Sequence, residues 1–205
     1  MRYQDVVSSV CIYGLEESVK GFEGESDLPE KCDEVAERNL RLADVKAGRD
    51  SFLNGVIVQF DLTLTNKAWK DVERYHFLTF VSSQSSLHRI TKFDLDSAYI
   101  EYVDPRIIEI MKEKTKAYND LQADIQKLSK EGKDVSTLKD LANQQYLEIM
   151  YSNPDGFKMT ARMTTSYRQL RTIYAQRRNH RLPEWRAFCD WIETLPSAEL
   201  ITDEA

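Results

Sequence analysis

Between Arg162 and Phe188 seven arginines (Arg162, Arg168, Arg171, Arg177, Arg178, Arg181 and Arg186) stand against one acid, Glu184, in a chain whose formal net charge is -6. In an acidic protein, solubilising arginines are normally interleaved with Asp and Glu, so this concentration implies something negative to meet. A guanidinium offers planar donors that match phosphate or carboxylate bidentately. Arg171 and Arg178 lie seven apart and share a helix face, and Arg177 falls on the adjoining flank, one turn beyond Tyr174. Two readings stand. Either at least two of these arginines hold an anionic ligand, or they pair with acids of the same or a neighbouring subunit, for example Asp94, Asp96 or Glu101.

A second polar cluster, Gln84, Ser86, His88 and Arg89, offers donors to a phosphate or a ring edge. No glycine-rich phosphate loop, dinucleotide fingerprint or nucleophile elbow accompanies it, so a ligand site here is made of side chains. His76, His88 and His180, with Cys11, Cys32 and Cys189, never approach the spacing of a zinc site, and no metal is expected.

The net charge argues against duplex DNA, whose non-specific affinity comes from cationic surfaces. No apolar run has the length of a signal-peptide core or a membrane helix, and three cysteines without close spacing read as reduced thiols, so a cytoplasmic protein is expected. A length of 205 residues with 41% apolar content suits a single domain over residues 1–205.

The elements that must position these residues are legible in part. Val6 to Tyr13 reads as a strand closed by Gly14. Gly21 to Pro29 reads as a loop before a helix over Glu30 to Ala43. From Gly55, residues Val56, Val58, Phe60, Leu62 and Leu64 alternate with Gln59, Asp61 and Thr63, so one strand face meets the core and the other something polar. Thr65 or Asn66 is expected to cap a helix whose stripe is Trp69, Val72, His76 and Phe80, broken by the serines from Ser82. Asp104 and Pro105 open a long helix ended by Gly132; a second helix over Val135 to Met150 returns, and the two form a helical arm. Thr164 or Thr165 is expected to cap a helix with Tyr167, Leu170, Ile173 and Tyr174, and Leu182-Pro183 leads into a last helix with Trp185, Phe188 and Trp191.

In this order of elements, and in the stretch TARMTTSYRQLRTIYAQRRNHRLPEW ending at Trp185, the chain resembles the flavin-dependent thymidylate synthases. Ala161 and Arg162 match that family's alanine-arginine pair; Ser166 falls on its asparagine, and Arg168, Leu170 and Arg177 match its following arginine, leucine and deeper arginine. Pro183, Glu184 and Trp185 resemble its Ala-Gln-Trp turn. Upstream, His76, Phe77 and Leu78 fall on its Arg-His-Arg triplet, Ser83 on an asparagine, Gln84 on a glutamate, Ser86 on a serine and His88 on an arginine.

The resemblance implies an α+β fold with a long helical arm, assembled as a homotetramer with FAD and a pyrimidine nucleotide bound between subunits. It implies that Arg162 acts on the base oxygens, that Gln84, Ser86, Arg177 and Arg178 bind deoxyuridine or deoxycytidine monophosphate, and that His76, His88, Arg89 and Arg168 face the flavin, with a folate as one-carbon donor. Methylation or hydroxymethylation of the base is the implied reaction. Loss of two arginines from the triplet implies weaker flavin binding, because charge-assisted hydrogen bonds are the strongest polar contacts available there. The alternative is a non-catalytic nucleotide-binding or assembly protein that keeps the fold.

Overall fold

The computed structural model describes residues 1–18, 50–83 and 90–202. The loop and helix expected over Gly21 to Ala43, and the cluster Gln84, Ser86, His88 and Arg89, lie outside the described residues.

Alternation builds the sheet. Strand β1 (Val7–Tyr13), β2 (Ile57–Thr65), β3 (Thr79–Ser83) and β4 (Lys158–Ser166) hydrogen-bond in the order β1-β2-β4-β3. β1 runs antiparallel to β2, and β3 antiparallel to β4. Val58, Phe60, Leu62 and Leu64 of β2 are fully buried and Ala161, Met163 and Thr165 of β4 are buried, while Gln59, Asp61, Thr63, Arg162 and Thr164 point to the other, more open face. This is the period-2 pattern of a sheet with one face on the core.

The core-side face is covered by α-helices from the end of the chain. With the helix Asn66–Val72 as α1, Pro105–Lys130 as α2 and Ser136–Ser152 as α3, these are α4 (Tyr167–Arg177), α5 (Pro183–Ile192) and the short α6 (Glu199–Thr202). Phe60 of β2 meets Phe188 and Trp191 of α5, with ring centroids 5.8 and 4.7 Å apart. Burying a side chain of this size contributes roughly 1.5–3 kcal/mol, so this aromatic layer fixes α5, and the segment before it, against the sheet.

Residue contacts divide the chain into two compact units. One comprises Met1–Leu64, Ala68–Ser83 and Thr160–Ala205; the other, Thr65–Lys67 and Gln84–Met159. The second holds the helical arm. The Asp104 side chain accepts from the Arg106 N–H at the start of α2, Pro105 fills the first turn, and Gly132 at φ 74° ends the segment in a conformation that favours glycine. Ile90, Leu95, Tyr99, Met111, Ile149 and Phe157 form one apolar cluster of this unit, and Ile125, Val135 and Ala142 another nearer the hairpin tip. Among the described residues no helix is long and apolar enough to cross a membrane.

Two expectations are corrected. The helix after Asn66 ends at Val72 instead of continuing to Phe80: the chain turns through Val72–Leu78, Tyr75 is buried in place of His76, and Thr79–Ser83 pairs as a strand. The run Thr79-Phe80-Val81 is β-branched and aromatic, and a free partner edge on β4 decides its state. The cap of α4 is Ser166, whose hydroxyl accepts from the Gln169 N–H; Thr164 and Thr165 belong to β4.

Candidate functional site

Arg162 rises from the open face of β4. Its Nη1 donates to the Ser9 carbonyl at 2.6 Å and to Asp61 Oδ1 at 3.2 Å, and its Nη2 lies 4.0 Å from Cys11 Sγ. Ser9 sits where the β1–β2 register slips between Ser8 and Cys11, in a left-handed conformation with φ 52°. A bulge of this kind turns one backbone carbonyl away from the ladder, and here that carbonyl meets the guanidinium. Burial opposes the charge on Arg162, but the bonds from Asp61 and Cys11 outweigh it and hold the group more firmly protonated. Tyr13 joins the same cluster: its hydrogen bond with Cys11 raises its phenol above the usual range.

Arg168 belongs to a second feature of the same unit, a cleft of about 650 Å³ at the N-terminus of α4. Phe77, Thr79, Thr164, Ser166, Arg168 and Gln169 line it. Thr165 donates its hydroxyl to the Phe77 carbonyl at 2.9 Å, which ties the turn before β3 to the end of β4. Arg168 Nη2 lies 3.3 Å from Asp50 Oδ1, within ion-pair reach but off hydrogen-bond geometry, so that buried oxygen makes no hydrogen bond. Phe77 is 73% exposed, an aromatic ring held at the rim without cover. In the first turn of α4 the Tyr167 and Gln169 N–H groups are taken by the Val56 carbonyl and the Ser166 hydroxyl, so what favours an anion there is the positive dipole end together with the Arg168 side chain.

Arg177 lies elsewhere, inside the aromatic core beside α5. Its Nε donates to Tyr75 Oη at 2.7 Å, Nη1 reaches Asp71 Oδ2 at 3.5 Å, and the guanidinium stands 5.0 Å from the Trp185 ring centroid. His180 borders the same group, with Nε2 3.9 Å from Asp71 and Nδ1 accepting from the Leu182 N–H. Burial, and then the charge of Arg177, push the His180 pKa down despite Asp71. Arg178 stands over the Tyr174 ring at 5.1 Å, and Arg186 donates to the His180 and Arg181 carbonyls. His76 is exposed on the turn before β3.

Among the described residues Arg162, Arg168 and Arg177 reach the carboxylates of Asp61, Asp50 and Asp71, and not those of Asp94, Asp96 or Glu101, the sequence's examples of pairing acids. Asp96 pairs with Lys112, and Asp94 takes the Ser97 hydroxyl. Asp61, beside Arg162, and Phe77 and Ser166, on the cleft, are positions that residue chemistry alone passes over. Asp61 had a signal, since it stands on the polar side of the β2 alternation. Among the described residues no group of three or more His, Cys, Asp or Glu is placed to hold a metal ion.

No family model matches the sequence, and no curated protein does. Solved structures do match. A crystal structure of the flavin-dependent thymidylate synthase ThyX from Helicobacter pylori, complexed with FAD and dUMP, aligns over 95% of this chain and 97% of its own, with a TM-score of 0.61 and 16% identity. A second ThyX structure from that organism, also with FAD and dUMP, gives a TM-score of 0.59 over the same shares at the same identity. The chain has the ThyX fold. Within this ThyX-like α+β architecture, Phe77 of the turn before β3 and Arg168 at the start of α4, far apart in sequence, border one cleft.

Proposed function

We propose that the protein is a flavin-dependent thymidylate-synthase-like enzyme acting on deoxyuridine or deoxycytidine monophosphate. The observation that carries this reading is the convergence of Phe77 and Thr79, from the triplet region, with Ser166 and Arg168 on one cleft of a chain that follows the ThyX fold along nearly its whole length. The donor set suits FAD: the positive end of α4, Arg168 and hydroxyl-bearing residues such as Thr79 and Thr164 favour a phosphate, and the exposed Phe77 ring offers a stacking surface. The volume lies within the range of cofactor and ligand pockets.

In this reading Arg168 and the α4 N-terminus hold the cofactor's phosphates. Arg162 sits against the base oxygens and stabilises charge that develops there. Gln84 and Ser86, with His88 and Arg89, follow β3 directly and keep their assignments to substrate and cofactor. Flavin, when bound, supplies the hydride that completes the one-carbon unit donated by a folate. Sites shared between subunits of a homo-oligomer, a tetramer by resemblance, complete the proposal.

The buried partners of Arg177 favour a second reading. With Nε and Nη1 engaged by Tyr75 and Asp71, this arginine is withdrawn from the phosphate-binding role that the resemblance implies, as a non-catalytic nucleotide-binding protein would allow. Titration with FAD, followed by flavin fluorescence with and without dUMP or dCMP, separates the two. The enzyme reading expects saturable quenching, weakened about tenfold or more in Arg168→Ala, as loss of a charge-assisted bond implies. No change up to millimolar FAD in any condition would leave the non-catalytic reading in its place.

A further inference from the structure

Arg162 is not a free cation. One of its terminal nitrogens is occupied twice, by a backbone carbonyl and by the Asp61 carboxylate, and the other lies beside the Cys11 thiol. Its Nε and the remaining Nη2 hydrogen have no partner among the described residues, and the second Asp61 oxygen has none either. The side chains of Arg162 and Asp61 keep 24% and 32% of their exposure, so the pair is open to a ligand while shielded from most of the solvent.

This arrangement has two physical effects. The Ser9 carbonyl and Asp61 fix the guanidinium in one orientation, which lowers the entropy cost of presenting its remaining donors. Asp61 also cancels the positive charge at 3.2 Å. A neutral carbonyl on a ring still gains hydrogen bonds at such a site, because the donors remain polarised. A phosphate gains little, because the hydrogen-bonded Asp61 already matches the charge and its free oxygen repels an anion, whereas the Asp50 oxygen near the more exposed Arg168 is buried and makes no hydrogen bond to it.

We propose that Asp61 is a positioning and specificity-determining residue of this site: with the bulged Ser9 carbonyl it aims Arg162 at a neutral, carbonyl-bearing ring edge and excludes phosphate from the same place. The inference rests on reading Arg162 as the group that meets the pyrimidine. It adds what that reading leaves open, how Arg162 is kept for the base and away from the phosphate, and assigns that selection to a residue outside the arginine-rich segment.

Cys11 provides the probe, since a ligand seated on Arg162 covers it. The rate of Cys11 alkylation by iodoacetamide, followed by peptide mapping, is measured for the wild type, Asp61→Asn and Arg162→Ala in the presence of dUMP, dCMP, deoxyuridine or inorganic phosphate. For the wild type, nucleotide and nucleoside are expected to slow alkylation while inorganic phosphate does not. In Asp61→Asn, which keeps the shape and loses the charge, phosphate is expected to protect at a concentration at least about tenfold lower, and nucleoside protection to weaken by a similar factor. A merely structural role for Asp61 would alter the melting temperature without this exchange of selectivity. Identical protection patterns in wild type and Asp61→Asn overturn the proposal. Failure of every nucleotide to protect the wild type overturns instead the pyrimidine assignment of Arg162, and the gain of phosphate protection in Asp61→Asn still decides whether Asp61 screens the arginine.

Discussion

His180 shows how one residue ties stability to pH here. Its folded-state pKa lies below the ordinary 6.5, first because it is partly buried and then because Arg177 is close. The unfolded chain therefore takes up the proton more readily than the native one, so stability rises with pH between the folded and unfolded pKa values and is fully present above 6.5. The melting temperature is expected to fall as the pH drops below that value, and His180→Gln to flatten the slope. A variant with the wild-type slope would show that the proton is taken up elsewhere. The neighbouring Arg177 explains why residue types alone mislead in this segment. Its spacing in sequence makes it equal to Arg162 as a ligand candidate, yet its helix face turns it into Tyr75 and Trp185, where a guanidinium gains from ring contacts as well as from Asp71.

At the scale of elements, α4 is the hinge between fold and site. The same Ser166 that ends β4 caps the helix and lines the cleft. Replacing it with alanine removes a cap worth about 1 kcal/mol, and a matching fall in stability by chemical denaturation is expected together with weaker flavin binding. Full stability in Ser166→Ala would show that the helix start is held by other contacts. The long helices and β2 were legible because each carries a continuous signal: Asp104-Pro105 at a start, Gly132 at an end, strict alternation from Val56 to Leu64. β3 and β4 were not. The stripe Trp69, Val72, His76, Phe80 fits a helix by period, and only pairing with β4 makes Thr79–Ser83 a strand, a tertiary effect that a local pattern does not contain. β4 itself carries Thr, Arg and Ser on its open face, so its alternation reads as a polar linker until its buried Ala161, Met163 and Thr165 are seen against the core.

For the whole molecule, the order of elements carried more information than any motif. At 16% identity the match to ThyX rests on the path of the chain, and the arginine-rich segment contributes two differently used groups: Arg168 on the cleft and Arg162 on the open sheet face. The two candidate features are thus recognisable in sequence through Arg162 and Arg168, and Asp61 through its polar place in the β2 alternation, while the contribution of the Ser9 carbonyl depends on a bulge that no residue type announces. The central claim is that this site performs reductive one-carbon transfer to a pyrimidine nucleotide. Its most direct test is to incubate the protein with chemically reduced FAD, a folate one-carbon donor and either dUMP or dCMP, and to analyse the nucleotide by mass spectrometry. A methylated or hydroxymethylated base, formed by the wild type and lost in Arg162→Ala, is the expected result. Unchanged nucleotide under conditions where both FAD and the nucleotide are bound would contradict the account.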